Sequence, residues 1–289
     1  MKKKILITGS EGFLGSNFCK HIKNKFILFK YDKKINGDLK NIKKFPKVDF
    51  VIHLAAFNST KDFYRKPLKV IEDNIFPTYN LINFYKKQKR KPIFIFAGTP
   101  EIASGAVDLF KYPIPTDENV PSVIPDIYNK RWSYAGSKSV CEQMVIFSGL
   151  KFIIIRPHNV YGPNQKNHFV PEFINRCNKK IIPLYGWKNT RSWLYVDDFC
   201  SALEKILSSK KAIGEIINIG SNYERSILDV AKFIIKTKFP NKKIIIKKCS
   251  SPEGSANRRM PCIKKIKKIA KWSPKINLED GIKKLINEE

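Results

Sequence analysis

The sequence predicts an α/β fold in which a doubly wound parallel sheet is followed by a smaller mixed α/β lobe. Three observations predict it. Short apolar runs alternate along the chain with helix-like stretches, as in repeated β-α-β units. Most of these runs are continuous stretches of branched and aromatic residues, which is typical of strands buried on both faces. The first run leads through a glycine-rich turn into a helix.

The elements of the sheet follow one another in chain order. Strands are predicted at residues 4–8, 26–31, 50–54, 93–97, 152–156 and 216–219, and helices at 13–23, 68–87, 134–148 and 196–207. The connection after residue 32 is short and rich in lysine, so its crossover helix is expected to be abbreviated. The proline-rich stretch 113–125 predicts an irregular surface loop.

Two lobes are expected from the way the pattern changes along the chain. Residues 1–157 would form the larger lobe, and residues 191–219 would return to it. Proline and glycine become frequent after residue 157, and the end of the chain mixes one isoleucine run with short basic helices. Residues 158–190 and 220–289 would therefore form the smaller lobe.

The turn after the first strand, TGSEGFLG, has the context of a dinucleotide-binding fingerprint. Gly9 would permit the tight turn, Gly12 the approach of a pyrophosphate to the backbone, and Gly15 the close packing of the helix on the strand. Phe13 and Leu14 open the helix and are expected to contact the cofactor. The free N–H groups and the positive dipole end of this helix favour phosphate. The turn predicts a cofactor site of the Rossmann type.

Acidic residues after the second strand indicate which dinucleotide binds. Asp32 ends that strand, and a carboxylate there accepts hydrogen bonds from the adenosine ribose and repels a 2′-phosphate. Lys33 and Lys34 follow at once and would tolerate a phosphate. Asp38 and Leu39 are expected to flank the adenine. On balance the pattern favours NAD over NADP.

The third strand ends in small residues. Leu54, Ala55 and Ala56 follow His53 at its carboxyl end, where open α/β sheets bind their ligands. Small side chains let a cofactor lie against the backbone, so these three residues are expected to contact it. His53 is interpreted as a hydrogen-bonded core residue, because it is a lone histidine within an apolar strand.

Tyr134 and Lys138 stand one helical turn apart at the start of a predicted helix. The ammonium group is expected to lower the pKa of the phenol, because a nearby positive charge favours the phenolate. A tyrosine adjusted in this way takes a proton from a sugar hydroxyl as hydride leaves for NAD. Lys138 would also hold the nicotinamide ribose.

The net charge of +30 raises the question of a nucleic-acid partner. Lysine is spread through every segment and arginine is scarce, whereas a nucleic-acid interface concentrates basic residues on one face. We therefore expect solvated lysines and no nucleic-acid interface.

No apolar run reaches the ~18 residues of a membrane span, and the chain is expected to open on a strand rather than a signal peptide. The six cysteines are scattered, which predicts free thiols in the cytoplasm and no metal site.

Together these motifs resemble those of the NAD-dependent nucleotide-sugar epimerase/dehydratase family, a branch of the extended short-chain dehydrogenases/reductases. The resemblance runs from Lys4 to about Asn287. Its motifs are, in order, TGSEGFLGS, HLAA, YAGSK, IIRPHNVYGP, RSWLYVDD, GEIINIGS and NRRMPCIKKIKKIAKWSPKINLEDGI. The resemblance implies an enzyme in which hydride moves from a sugar carbon to tightly held NAD and later returns. It also implies that the smaller lobe binds the nucleotide-sugar.

The same resemblance implies roles for four further residues. Thr99 would hydrogen-bond the reacting sugar hydroxyl beside Tyr134. Asn159 would contact the substrate diphosphate. Arg191 and Arg259 would bind the nucleotide diphosphate region, to which guanidinium groups are suited because they pair with two phosphate oxygens at once.

Glu101 bears on the reaction. Members of the family that abstract the C5 proton, or that act on a uronic acid, carry Thr-x-Glu at this place, so Glu101 is a candidate second base. Pro100 stands where some 4,6-dehydratases carry an aspartic acid that protonates the leaving hydroxyl. Residues 102–104, Ile-Ala-Ser, replace the usual Val-Tyr-Gly, so the loop beneath the sugar is expected to be altered. Arg259 would hold either a sugar carboxylate or a phosphate.

Three functions stay open at this point. The first is an NAD-dependent nucleotide-sugar epimerase or dehydratase that passes through a 4-keto intermediate. The second is a decarboxylase similar to those that act on UDP-glucuronate. The third belongs to another class, a non-catalytic NAD-binding scaffold or sensor that kept the fold. The intact Thr99, Tyr134 and Lys138 count against the third.

A homodimer is implied by the resemblance. The helices near residues 68–87 and 134–148 resemble the pair through which this family usually dimerises. Both carry apolar residues at helical spacing: Leu81, Phe84, Tyr85, Val140, Met144 and Phe147. Ordinary core packing explains the same spacing, and the two interpretations are compatible.

Overall fold

The computed structural model describes residues 1–288. Its strands are β1 (Lys4–Thr8), β2 (Ile27–Tyr31), β3 (Phe50–His53), β4 (Ile93–Ala97), β5 (Phe152–Pro157), β6 (Val160–Tyr161), β7 (Ile181–Tyr185), β8 (Thr190–Ser192), β9 (Leu194–Tyr195), β10 (Ile216–Ile219), β11 (Glu224–Ser226), β12 (Ile245–Cys249) and β13 (Arg258–Arg259). Its α-helices are α1 (Phe13–Ile22), α2 (Lys33–Asn36), α3 (Thr60–Arg65), α4 (Pro67–Lys86), α5 (Ser104–Phe110), α6 (Trp132–Ile146), α7 (Phe169–Arg176), α8 (Val196–Ser208), α9 (Ile227–Lys238), α10 (Lys264–Ala270) and α11 (Leu278–Glu288). Short 3₁₀ helices lie at Leu39–Asn41, Pro100–Ala103 and Lys210–Ala212.

Six strands form one sheet in the order β10-β5-β4-β3-β1-β2. Every neighbouring pair in it is parallel. The chain proceeds from β1 to β2 in one direction and from β3 to β10 in the other, so the order reverses between β1 and β3. Open α/β sheets bind their ligands beyond the carboxyl ends of the strands at such a reversal. The topology alone therefore predicts a ligand site beyond the carboxyl ends of β1 and β3.

Successive side chains of the strands pack into apolar layers on opposite faces of the sheet. Ile5 of β1 packs in the layer that contains Phe18 of α1. Leu6, the next residue, packs on the opposite face with Leu81 of α4 and Val145 of α6. The strands are thus buried on both sides, which is why their sequences read as continuous apolar runs. This arrangement is the predicted doubly wound sheet, and the fold class is confirmed.

The predicted elements of the sheet are confirmed with small differences at their ends. All six strands and all four helices are present, and the abbreviated connection after β2 consists of α2 and the 3₁₀ helix Leu39–Asn41. The proline-rich stretch 113–125 contains no helix and only an isolated bridge from Thr116 to Pro261. Helices α3 and α5 were not predicted, because both are short and neither has a marked apolar period.

The remaining strands form small sheets outside the main one. They are the parallel pair β12-β7, the three-stranded sheet β11-β8-β13 and the parallel pair β6-β9. The chain leaves the main sheet after β5, returns through α8 to β10, and leaves it again. One apolar cluster nevertheless continues from Ile5 of β1 to Ile234 of α9 and Ile282 of α11. The residue boundaries of the two lobes stay a prediction.

Helices α4 and α6 lie side by side on one face of the sheet. Leu81 and Tyr85 of α4 are fully buried, so for these two residues core packing is the correct interpretation. Val140 and Phe147 are exposed, as are Phe76 and other apolar side chains of α4.

No helix within residues 1–288 is long and apolar enough to cross a membrane.

Candidate active site

A cavity of about 970 Å³ opens beyond the carboxyl ends of the parallel strands. It extends from the turn after β1, past the end of β4 and the start of α6, to β8 and β13. Every site residue predicted from the sequence lines this cavity: Gly9, Gly12, Phe13, Leu14, Gly15, Asp32, Asp38, Leu39, Leu54, Ala55, Ala56, Thr99, Glu101, Tyr134, Lys138, Asn159, Arg191 and Arg259. The fold therefore brings together residues that are far apart in the chain.

The glycine turn is packed so closely that side chains are excluded. Gly9 has φ +71°, and a Cβ there would lie 2.8 Å from the backbone nitrogen of Ala55. A Cβ on Gly15 would lie 2.1 Å from the carbonyl oxygen of Gly9. Gly12 donates its N–H to the same carbonyl at 3.0 Å and caps α1. The turn brings the start of α1 against the cavity with its backbone exposed to a ligand.

A dinucleotide fits the donors at this end of the cavity. The first turn of α1 contains no acidic residue, so its free N–H groups and positive dipole end favour a phosphate. The hydroxyl of Ser10 is buried beside it and has no hydrogen-bond partner among the described residues. A buried hydroxyl without a partner is unfavourable unless a ligand or a water molecule supplies one.

Asp32 is held in place by the backbone. Its Oδ1 accepts the N–H of Lys34 at 3.1 Å, and its Oδ2 accepts the N–H of Glu11 at 3.1 Å. Asp38 forms ion pairs with Lys33 at 3.4 Å and with Lys40 at 3.6 Å. Burial tends to raise the pKa of Asp38, but the N–H and ammonium groups of Lys40 and the ammonium of Lys33 lower it. Both side chains are therefore held in place at the cavity edge, and the lowered pKa keeps Asp38 charged.

His53 is a core residue, as predicted. Its Nδ1 lies 2.6 Å from the hydroxyl of Thr8, and its Nε2 lies 3.0 Å from the hydroxyl of Thr78. Burial, followed by the charge of Lys138, lowers its pKa to about 3. His53 is neutral and links β1 and β3 to α4. It does not line the cavity, whereas Leu54, Ala55 and Ala56 do.

Tyr134 is almost fully buried at the start of α6, and it lines the same cavity as Thr99. The pKa of Tyr134 is raised. The expectation that the Lys138 ammonium lowers the pKa of this phenol is therefore wrong for the free chain. Burial is the main cause and the Glu101 carboxylate adds to it. The Lys138 ammonium lies over the ring of Phe96, with its nitrogen 4.0 Å from the ring centre. Burial lowers the pKa of Lys138 to about 8.

Glu101 forms an ion pair with each of two arginines. Arg131 approaches both carboxylate oxygens, with Nη1 at 2.5 Å from Oε2 and Nη2 at 2.7 Å from Oε1. Arg259 Nη1 lies 3.5 Å from Oε1. Burial tends to raise the pKa of Glu101, but the charges of Arg131 and Arg259 outweigh it and lower the pKa to about 2. Glu101 is ionised, and it is a weak base while both arginines hold it.

One further arginine of the cavity wall, Arg191, lies next to Arg259. Arg191 on β8 and Arg259 on β13 are directly paired in register. Arg191 donates to the carbonyl oxygens of Thr190 and Ala256, each at 2.7 Å. Burial and the charge of Arg259 lower the pKa of Arg191 to about 9. Arg191, Arg259 and the neighbouring Arg131 together carry more positive charge than Glu101 offsets, so this wall is suited to an anionic ligand.

Asn159 occupies the junction between the main sheet and the cavity wall. It adopts φ +39°, a left-handed conformation that asparagine tolerates. Its side-chain amide donates to the carbonyl oxygen of Ser192 at 2.9 Å, beside Arg191. The amide is therefore ordered before any ligand binds.

The altered segment 102–104 lies largely outside the cavity. Ile102 is buried against Trp132 and Ala135, so it serves the core and not the sugar site. Ser104 reaches the site indirectly, because its hydroxyl lies 3.3 Å from Arg259 Nη2. Pro100 begins the 3₁₀ helix that carries Glu101 into the cavity.

Sequence reasoning missed Arg131 and Phe63, which both line the cavity. Arg131 precedes Tyr134 by one helical turn, so the spacing Arg-x-x-Tyr is a signal that could have found it. Phe63 lies on α3, where no motif marks it. Its ring stacks on that of Tyr134.

The chain is similar to known proteins over most of its length. A model of the NAD dependent epimerase/dehydratase family matches residues 5–220. A dTDP-D-glucose 4,6-dehydratase of Dictyostelium discoideum is 35% identical over a match that covers 81% of this chain but only 62% of that protein. A UDP-N-acetyl-alpha-D-glucosaminuronate decarboxylase of Bacillus cytotoxicus is 30% identical, with 99% of this chain and 97% of that protein covered. The solved structure of Pal from Bacillus thuringiensis has a TM-score of 0.82 at 27% identity and covers 98% of each chain.

Proposed function

Because the chain belongs to the NAD-dependent epimerase/dehydratase family, we propose that it is an enzyme that epimerises or dehydrates a nucleotide-linked sugar. A 4-keto sugar would be the intermediate, and the hydride removed to form it would later be returned. One observation carries this proposal. A single cavity is lined by a dinucleotide cradle, the Thr99–Tyr134 pair and a wall of arginines. A scaffold that only binds NAD needs the first of these and neither of the others.

NAD is the proposed form of the cofactor, and it supplies the hydride acceptor when bound. The glycine turn would receive the pyrophosphate at the N-terminus of α1. Asp32 would accept hydrogen bonds from the adenosine ribose, since each carboxylate oxygen retains a lone pair beyond the backbone contact it already makes. Its fixed negative charge opposes a 2′-phosphate. Lys33 is engaged with Asp38, which weakens its capacity to offset that charge.

Tyr134 is proposed to take the proton of the sugar C4 hydroxyl, with Thr99 holding that hydroxyl in place. The phenol must ionise before it can act, and burial opposes this in the free chain. Arg131 and Arg259 lower the pKa of Tyr134 but do not outweigh its burial. Lys138 is proposed to favour ionisation further, because it lies one turn along the same helix face and has a long flexible stem. Its lowered pKa, about 8, also eases the release of its own proton.

Decarboxylation of a nucleotide-linked uronic acid is a second candidate, and the arginine cluster favours it. Oxidation at C4 makes a uronic acid a β-keto acid, which loses carbon dioxide without any base at C5. Such a reaction needs cations for the sugar carboxylate, and Arg131 and Arg259 supply them. It does not need Glu101 as a base, which agrees with the pKa of about 2 for that carboxyl group. The Bacillus cytotoxicus relative carries the name of such a decarboxylase.

We further propose a homodimer formed through α4 and α6. Exposed apolar side chains lie along the outer faces of the two helices: Leu68, Phe76, Tyr79, Val140 and Phe147. Phe147 is 82% exposed, which is unfavourable for a ring of that size unless something covers it. Light scattering would give twice the chain mass of 33.4 kDa for the dimer.

A cytoplasmic location is proposed on the state of the cysteines. None of the six forms a disulfide within residues 1–288, and Cys19, Cys141, Cys177 and Cys200 are buried. Burial raises the pKa of all four thiols. They are unreactive core residues, as expected where the surroundings are reducing.

Mass spectrometry of the products tests the proposal. The purified protein is incubated with NAD and with UDP-, GDP- and dTDP-sugars, including UDP-glucuronate. Loss of water identifies a dehydratase, loss of carbon dioxide a decarboxylase, and an unchanged mass with a new retention time an epimerase. Tyr134→Phe should lower turnover by about 10²- to 10⁴-fold while NAD still binds. If neither protein changes any donor although both bind NAD, the result counts against the enzyme and favours the scaffold interpretation.

A further inference from the structure

Phe63 lies between two side chains of the active site. Its ring is stacked on that of Tyr134, with centres 4.8 Å apart and planes 9° from parallel. The guanidinium carbon of Arg131 lies over the Phe63 ring, 4.9 Å from its centre. Phe63 is 1% exposed, so both contacts are buried. A single ring therefore touches the proposed base and one of the two arginines that hold Glu101.

Helix α3, which carries Phe63, is hydrogen-bonded to the segment around residues 252–257. The hydroxyl of the neighbouring Tyr64 donates to the carbonyl oxygen of Glu253 at 2.8 Å. Gly254, with φ +73°, lies so close to Arg131 that a Cβ on it would be 3.1 Å from Arg131 Cγ. The segment around residues 252–257 thus closes against both α3 and Arg131. Helix α3 joins this segment to Tyr134.

We propose that Phe63 is a positioning residue, whose ring fixes the direction of the Tyr134 phenol and the Arg131 guanidinium. The inference rests on the proposed function, in which Tyr134 takes the proton. The parallel stack prevents the phenol from swinging away from Thr99. The cation–π contact holds the edge of the Arg131 guanidinium toward Glu101. A displacement of ~1 Å at such a group can reduce turnover by about 10²-fold.

The charged groups around Tyr134 define the expected effect of pH. Glu101 acts on Tyr134 from the 3₁₀ helix after β4, Arg259 from β13, and Arg131 from the residue before α6. Lys138 lies one turn further along α6. Phe63 covers the ring of Tyr134 from α3 and keeps water away from the Tyr134 ring. Replacing Phe63 by leucine admits water and stabilises the phenolate, so the pKa of Tyr134 should fall toward its ordinary value. The acid limb of the turnover profile should then move to lower pH.

Three variants separate positioning from general packing. Phe63→Leu removes the stacked ring, and Phe63→Tyr restores it. Phe45→Leu is the matched control, because Phe45 is also a buried ring among aromatic side chains, but it does not line the cavity. NAD binding measured by calorimetry shows that each variant is folded. The donor that the wild type converts is the substrate for kinetics.

The expected result is a fall in kcat of about 10- to 10²-fold for Phe63→Leu, with the acid limb at lower pH and NAD affinity unchanged. Phe63→Tyr should recover most of kcat and the original pH profile. Phe45→Leu should leave both near wild type. An unshifted pH profile in Phe63→Leu, with a loss of kcat no larger than that of Phe45→Leu, overturns the inference and leaves the proposed function intact.

Nuclear magnetic resonance of ring-labelled tyrosine gives a measurement that needs no substrate. The Tyr134 signal is identified by its absence from Tyr134→Phe. In Phe63→Leu this signal should lose the upfield ring-current shift and should begin to titrate at a lower pH than in wild type. No change in either property refutes the positioning role. If the wild type converts no donor, the proposed function fails and the catalytic meaning of the stack fails with it.

Discussion

The two ends of the cavity are built in different ways. At the cofactor end the backbone itself forms the surface, because a Cβ on Gly9 or Gly15 would come within 2.8 Å or 2.1 Å of another backbone atom. At the substrate end the surface consists of long charged side chains. Arg131, Arg259 and Glu101 meet there from three separate segments of the chain.

The difference shows how each end is specified. A glycine turn between a strand and a helix is a local structure, and a short stretch of sequence determines it. The arginine cluster exists only when β8, β13 and α6 have assembled. Its charges then adjust one another, so that the same glutamate is a strong or a weak base according to its neighbours. The two ends should therefore fail differently when they are mutated.

The largest expected effect is that of Glu101→Gln on stability. It leaves Arg131 and Arg259 buried without their counter-charge, which destabilises a protein by about 3–5 kcal/mol. The pKa of Glu101 is about 2 in the folded chain, against an ordinary value of 4.5 for a glutamate side chain. Its contribution is therefore complete above pH 4.5 and is lost as the pH falls through the folded value. The variant should lack this part of the acid dependence. Urea unfolding at several pH values measures it.

Glu215→Gln is the matched control for this measurement. Glu215 pairs with Lys265 at 2.9 Å, but its side chain is 41% exposed. Surface pairs contribute about 0–1 kcal/mol, so little change is expected. Equal effects of the two substitutions would show that the substrate end is no more charge-dependent than the protein surface.

Gly15→Ala should affect the cofactor end by a smaller amount. The added methyl group must displace the Gly9 carbonyl, and overpacking of this kind costs about 1–3 kcal/mol. We expect NAD to bind roughly 10- to 100-fold more weakly, because the turn moves away from the phosphate position. Calorimetry with NAD measures the change. Gly149→Asn is the control, since nothing lies within 4 Å of a Cβ there. Wild-type affinity in Gly15→Ala would contradict a backbone-built site.

Asp32→Asn should have the smallest effect of the three. It keeps the shape of the side chain and removes the charge that opposes a 2′-phosphate. The ratio of NAD to NADP affinity should fall by about tenfold, which corresponds to ~1.4 kcal/mol. Titration with each dinucleotide gives the ratio. A preference for NADP already in the wild type would mean that Lys33 and Lys34 dominate at this end.

The sequence was sufficient for most of the sheet and for the residues that its motifs place in the cavity, but not for Arg131 and Phe63. The reason is that strands buried on both faces, a glycine turn and a Tyr-x-x-x-Lys pair each express a local rule. Even the short crossover after β2 could be predicted, because the segment between residues 32 and 49 is too short for a long helix.

The charge state of the site could not be predicted in the same way. The raised pKa of Tyr134 depends on its burial in the folded chain and on the carboxylate of Glu101, which comes from the turn after β4. The weak basicity of Glu101 depends on Arg131, which no local pattern connects to it. These are properties of contacts between distant segments, and they appear only when the chain is folded.

The apolar cluster that extends from Ile5 in β1 to Ile282 in α11 has a consequence for unfolding. A common core means that neither lobe retains its buried surface when the other melts. The chain also crosses from the main sheet to the smaller lobe more than once, so no single cleavage separates them. The lobes should therefore unfold in one cooperative transition, and neither should be recoverable as a stable proteolytic fragment.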